Sequence, residues 1–196
     1  MTLKSIHKTL IALSLGVLSY QVQANDGHIG LDLSLSNDTA NVGLYSLRET
    51  DRDLTNLGVD YFFNNPGDKF VDVFGSISRK GMADNENLEL GIMGKIYYVD
   101  HYKEKQTGYG AMLGINGRYW LPTEMPMSLY ADALYSPSIT SFNNVNSAYQ
   151  ADFKAEVRIL PTAIAYLGYR KIGVDFDKGQ RELDSNINIG VNIAIQ

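Results

Sequence analysis

The sequence predicts an all-β protein: a closed, antiparallel, up-and-down transmembrane β-barrel of about ten strands. Three observations carry this. Apolar and polar residues alternate with period two through nearly all of residues 25–196, the mark of strands with two unlike faces. No later apolar run approaches the roughly 18 residues a membrane-crossing helix needs. The composition is rich in aromatics, with 13 Tyr, 7 Phe and 1 Trp, and carries 20% charged residues, which disfavours disorder or a coiled coil.

The segments come in order. Ile29, Leu31, Leu33 and Leu35 alternate with Gly30, Asp32 and Ser34. A weaker strand holds Ala40, Val42 and Leu44; Leu57, Val59, Tyr61 and Phe63 form the next, then Val71, Val73 and Ile77. Leu88, Leu90, Ile92, Ile96 and Tyr98 follow, then Tyr109, Ala111, Leu113, Ile115 and Tyr119, then Met127, Leu129, Ala131, Ala133 and Tyr135. Tyr149 to Ile159, Ala163 to Tyr169 and Ile187 to Ile195 complete the set. The connectors at 37–39, 121–126 and 160–162 are short, while those at 100–105, 136–145 and 174–181 are longer and polar, as exposed loops are. A single domain over 25–196 is expected, with no linker and no repeat beyond the hairpin.

Residues 1–24 read as a cleaved secretory signal peptide. Lys4, His7 and Lys8 precede the apolar core Leu10–Val17, and Val22-Gln23-Ala24 places small residues at −3 and −1. Losing two lysines leaves the mature chain more acidic than the net charge of −5 over the full sequence. That balance gives no footprint for nucleic acid. The absence of cysteine removes disulfides, thiolate metal sites and a lipid-bearing anchor.

Alternation alone fits a membrane barrel, with its apolar face to lipid, or a soluble periplasmic lipid-binding barrel, with that face inward. Even strand number and length favour the membrane barrel. If the strands run up and down, Phe63, Tyr98, Tyr109, Tyr135, Tyr149 and Tyr169 gather near the long-loop rim as an interfacial aromatic girdle. The opposite face carries Lys95, Arg118, Asp132, Asp152, Lys154, Glu156, Arg158 and Arg170. These are expected to point inward as a lumen charge network that pairs across and plugs the interior.

Chemistry is sparse. His101, with Asp100 and Glu104 nearby, would suit a general base at the rim, but no serine lies at recognisable spacing and an exposed loop imidazole is the expectation. Paired acids at Val174–Lys178 and Asp51–Asp53 lack EF-hand spacing. Gly108, Gly110, Gly114 and Gly117 lie inside a strand, where they relieve crowding as the sheet bends. No catalytic, cofactor or metal site is assigned.

With its signal peptide, ten alternating segments, the Gly168-Tyr169-Arg170 strand end and the Asn/Ile-rich last strand, the whole chain resembles the YfaZ family of small Gram-negative outer-membrane proteins. The resemblance implies an exported outer-membrane barrel and brings no established activity. The last strand ends Ile193-Ala194-Ile195-Gln196, where many such barrels end in an aromatic residue. The expected function is a non-enzymatic structural or interaction role, or a narrow charge-lined pore. Its expected partners are outer-membrane lipids and lipopolysaccharide, and the barrel-assembly machinery during insertion. The alternative is an outer-membrane enzyme acting on lipid or peptide at the rim.

Overall fold

A computed structural model describes residues 27–195; the signal-peptide segment lies outside the described residues. Eleven strands run in order: β1 (Gly27–Leu35), β2 (Thr39–Glu49), β3 (Asp53–Asn64), β4 (Lys69–Lys80), β5 (Leu88–His101), β6 (Gln106–Trp120), β7 (Met127–Ser136), the three-residue β8 (Ser141–Asn143), β9 (Val145–Leu160), β10 (Ala163–Phe176) and β11 (Gly179–Ile195). Short 3₁₀ turns stand at Met82–Asp84 and Ser138–Thr140.

Every pairing is antiparallel. Neighbours in sequence pair, β5 joins β6, and β1 meets β11 from Ile29↔Ile195 to Leu35↔Ile189. The sheet therefore closes on itself as a barrel of ten long strands. Closure removes the unpaired edges that an open sheet exposes. β8 lies within the β7–β9 connector and pairs with the first half of β6, through Gly110↔Ser141 and Gly108↔Asn143.

The ten alternating segments of the sequence correspond to the ten long strands, because period two puts unlike residues on opposite faces. Three loop expectations need correction. Val174–Arg181 is mostly strand, reduced to a two-residue turn at 177–178. Connector lengths also fail to sort by rim. The short link at 36–38 shares a rim with 102–105 and 137–144, here the loop rim, while the seven residues 81–87 lie on the rim that holds the ends of β1 and β11, here the terminal rim. Finally, 136–145 contains β8 rather than a free loop.

Outward positions are apolar and exposed: Leu113 is 76%, Ile92 68% and Ile187 69% accessible. Inward positions carry aromatic rings laid over glycines. A Cβ on Gly30 or Gly190 would strike the ring of Tyr45 or Tyr166, its paired neighbour across the sheet. Where β6 parts from β7, a Cβ on Gly114 would come within 2.0 Å of the Ala133 carbonyl oxygen, so the strand approaches there because no side chain intervenes.

Candidate functional site

The interior is arranged in tiers. Toward the loop rim, β3, β4, β5, β6 and β10 turn apolar side chains inward. Phe62, Phe70, Tyr97, Val99, Met112, Val174 and Phe176 are all at most 1% exposed and belong to one packed cluster. Phe70 stacks on Tyr97 with ring centroids 5.2 Å apart. Tyr97 sends its hydroxyl to Ser136 Oγ at 3.2 Å, which satisfies the one polar atom of that ring. The cluster draws its members from β3 to β7 and from β9 to β11, and packs them as a core inside the barrel.

The middle tier is a continuous polar chain. Arg170 Nη2 donates to Ser34 Oγ at 3.3 Å, and its Nε donates to Asp152 Oδ1 at 3.0 Å. Gln150 Nε2 donates to Asp152 Oδ2 at 2.9 Å, and Gln150 Oε1 accepts from Lys95 Nζ at 3.2 Å. Lys95 also reaches Asp72 at 3.2 Å and Asp60 at 3.6 Å. β5 and β9 are not neighbours in the sheet, so the Lys95–Gln150 bond crosses the lumen. Buried charge is tolerated here because each cation meets a carboxylate.

Toward the terminal rim, Arg118 grips Glu156 through two bonds of 3.0 and 3.2 Å, and Ser128 Oγ donates to the same carboxylate at 2.7 Å. Glu89 lies 3.9 Å from Arg118 and accepts from Trp120 Nε1 at 2.9 Å. Lys154 pairs with Asp32 at 3.8 Å and sits 4.5 Å above the Tyr166 ring, a favourable place for a cation. Between this tier and the middle one lies a cavity of about 160 Å³.

The sequence-expected charges divide as follows. Lys95, Arg118, Asp152, Lys154, Glu156 and Arg170 face inward and are ion-paired. Asp132 borders the cavity, beside Asp152 in register and without an ion pair. Arg158 is the correction: it is exposed at the terminal rim and lies 5.4 Å from the Trp120 ring, not in the buried network. The girdle residues Phe63, Tyr98, Tyr109, Tyr135 and Tyr169 are exposed on the outer wall. Tyr149 is half-buried, its ring lying over Gly173. Tyr61 and Phe142 join them, with Tyr61 5.6 Å from Phe63 and Phe142 5.5 Å from Tyr109. Asp32, Asp60 and Asp72 are network members that sequence reasoning passed over, although each sits at a polar position in an alternating strand.

His101 also differs from expectation. It is buried, not an exposed loop imidazole: β5 continues two residues into the expected loop and turns it inward. Its Nδ1 lies 2.8 Å from Asp68 Oδ1 and its ring stacks on Phe176 at 5.7 Å. Asp68 further accepts from the Tyr102 backbone N–H and from Asn64 Nδ2. The pair ties the 65–68 and 102–105 turns together beside the apolar plug.

A closed barrel with an apolar outer wall and a polar, ion-paired interior defines the class of β-barrel membrane proteins. Within that class the chain belongs to the YfaZ family, whose model, described as "YfaZ precursor", matches residues 4–195. Among solved structures, one titled "Bacterial polysaccharide outer membrane secretin" is similar at 11% identity and TM-score 0.48, over 88% of this chain and 66% of that one. One titled "De novo design of transmembrane beta-barrels" is similar at 13% identity and TM-score 0.38, over 88% and 98%. No curated protein sequence matches the chain.

Proposed function

We propose that this chain is an exported outer-membrane barrel with a sealed interior, serving as a structural or binding protein and neither an enzyme nor a conducting pore. One observation carries the reading: the loop-rim half of the lumen is a packed apolar core, with Val99, Met112 and Val174 at 0% exposure. A hydrated ion would have to shed its water to pass such a plug, at a cost of many kcal/mol. The outward band supports membrane insertion, since exposed Leu and Ile on every side favour hydrocarbon over water. The precursor description of the family accords with export.

A chain delivered from the periplasm leaves both strand ends on the side it came from. The terminal rim is then periplasmic and the plugged loop rim faces outward, with Tyr98, Tyr109 and Phe142 at the lipid headgroups. Its partners in this reading are outer-membrane lipids, lipopolysaccharide at the loop rim, and the barrel-assembly machinery during insertion.

Planar-bilayer recording of the refolded barrel tests the seal. The wild type is expected to show no steady conductance, while a Phe62→Ala/Phe176→Ala variant opens a measurable path. Large, steady wild-type current would overturn the reading and make the same charges the lining of a pore.

A further inference from the structure

We propose that the cavity between the polar tiers binds a small organic cation bearing N–H donors, an alkylammonium or guanidinium group, which enters from the terminal rim. The cavity's floor is Phe62, Phe70 and Ile172 of the plug, and its wall extends to Leu47 and Leu54 near the terminal ends of β2 and β3. Access is therefore one-sided.

The chemistry of the wall selects the ligand. Acidic side chains outnumber basic ones there, seven to four, so an anion is disfavoured. The basic groups are occupied: Lys95, Arg118, Lys154 and Arg170 each hold a carboxylate. Asp132 holds no ion pair, and its Oδ1 is buried without a partner. Asp72, 3% exposed, gives Oδ2 to Lys95 and leaves Oδ1 unpartnered. Asn56 Oδ1 and Asn116 Oδ1 are unpartnered in the same wall. The amide oxygens can exchange places with their nitrogens on rotation, but the two carboxylate oxygens remain acceptors however the amides are turned.

Buried acceptors without donors are costly, and a ligand that supplies donors recovers that cost. A neutral apolar ligand would leave them unsatisfied. A metal ion fits poorly, because no group of three acidic or histidine side chains among the described residues is placed to hold one. The rings of Tyr130 and Tyr166, already facing Lys154, offer a further surface to a cation. A volume of about 160 Å³ accommodates about six heavy atoms, the size of a benzene ring. That matches a diamine of four carbons or the guanidinium end of a longer chain.

The test uses the full refolded barrel in detergent micelles, with binding read by calorimetry and by fluorescence of Trp120. This is the one tryptophan of the chain, bonded to Glu89 of the cavity wall. The probes are 1,4-diaminobutane, tetramethylammonium (a cation without N–H donors) and uncharged 1,4-butanediol. Saturable binding of the diamine, at least tenfold tighter than either control, is expected. Asp132→Asn should weaken it at least tenfold while leaving heat-modifiable gel mobility unchanged. Absence of saturable diamine binding, leaving the cavity to water alone, would overturn the proposal, as would equal affinity for the three probes. Unchanged affinity in a folded Asp132→Asn barrel would do the same. Should that variant fail to fold, the probe comparison on the wild type decides alone. The site rests on the cavity and not on the membrane seal, so the conductance experiment can fail without touching this one.

Discussion

Arg170 on β10 and Asp152 on β9 face each other in register across one ladder, joined Nε to Oδ1 at 3.0 Å with side chains only 6% and 5% exposed. Removing the guanidinium strands a carboxylate that Gln150 alone still contacts. Arg170→Ala is expected to cost about 3–5 kcal/mol, whereas replacing both partners by apolar residues of similar volume should cost much less. Denaturant unfolding of the two single variants and the double variant checks this. A coupling energy near zero would place the pair in water.

Leu113, on the outer wall midway along β6, tests which solvent the apolar face meets. Leu113→Arg should cost about 2–4 kcal/mol in a bilayer, and Leu160→Arg, at the terminal rim, only about 0–1. Equilibrium unfolding in lipid vesicles measures both. Equal small effects would mean that the apolar face meets water.

Gly114 supports the approach of β6 to β7 by having no side chain. Gly114→Ala drives a methyl against the backbone carbonyl of Ala133, which cannot rotate away as a side chain could. A loss of about 1–3 kcal/mol is expected, along with faster amide exchange at the Leu113–Tyr135 pair. An unchanged unfolding midpoint would show that the strands can part there freely.

At the loop rim, Glu104 in the β5–β6 turn bonds Arg181 at the start of β11. That hydrogen bond and the guanidinium charge hold the Glu104 carboxyl below its ordinary value of 4.5. Because the folded value is the lower one, the clasp contributes fully above the ordinary value and is lost as pH falls through the folded value. Hydrogen exchange at Tyr102–Lys105 should therefore quicken as pH drops from 5 to 3, beyond the intrinsic pH trend, and Arg181→Ala should abolish the difference. The same excess in both proteins would assign it to another group.

The wall of this barrel was legible from sequence, and its filling was not. Leu113 and Ile115 flanking Gly114 announce an outer face because lipid-exposed positions must be apolar one residue in two. The plug hides from that test: at Tyr61-Phe62-Phe63 and Tyr97-Tyr98-Val99 both faces are apolar, so alternation vanishes where the core is densest. Such two-sided runs were the available signal. Charge pairing was half legible, since period two turns Asp152, Lys154 and Glu156 inward. Their partners Arg170, Asp32 and Arg118 depend on which strands stand opposite each other, which is a property of the closed sheet. His101 was misread because strand ends fray into polar sequence, and nothing local marks where the ladder stops.

The seam between β1 and β11 also has a kinetic consequence. Asp32 and Asn192 meet across it although 160 positions separate them, so the ring can shut only after the last strand has arrived. Bringing such distant segments together is entropically slow. Until then two bare edges remain, each able to recruit a strand from another chain. The hazardous species is consequently the almost finished one, and a chain cut short before Gly179 would stay adhesive instead of settling into a smaller ring.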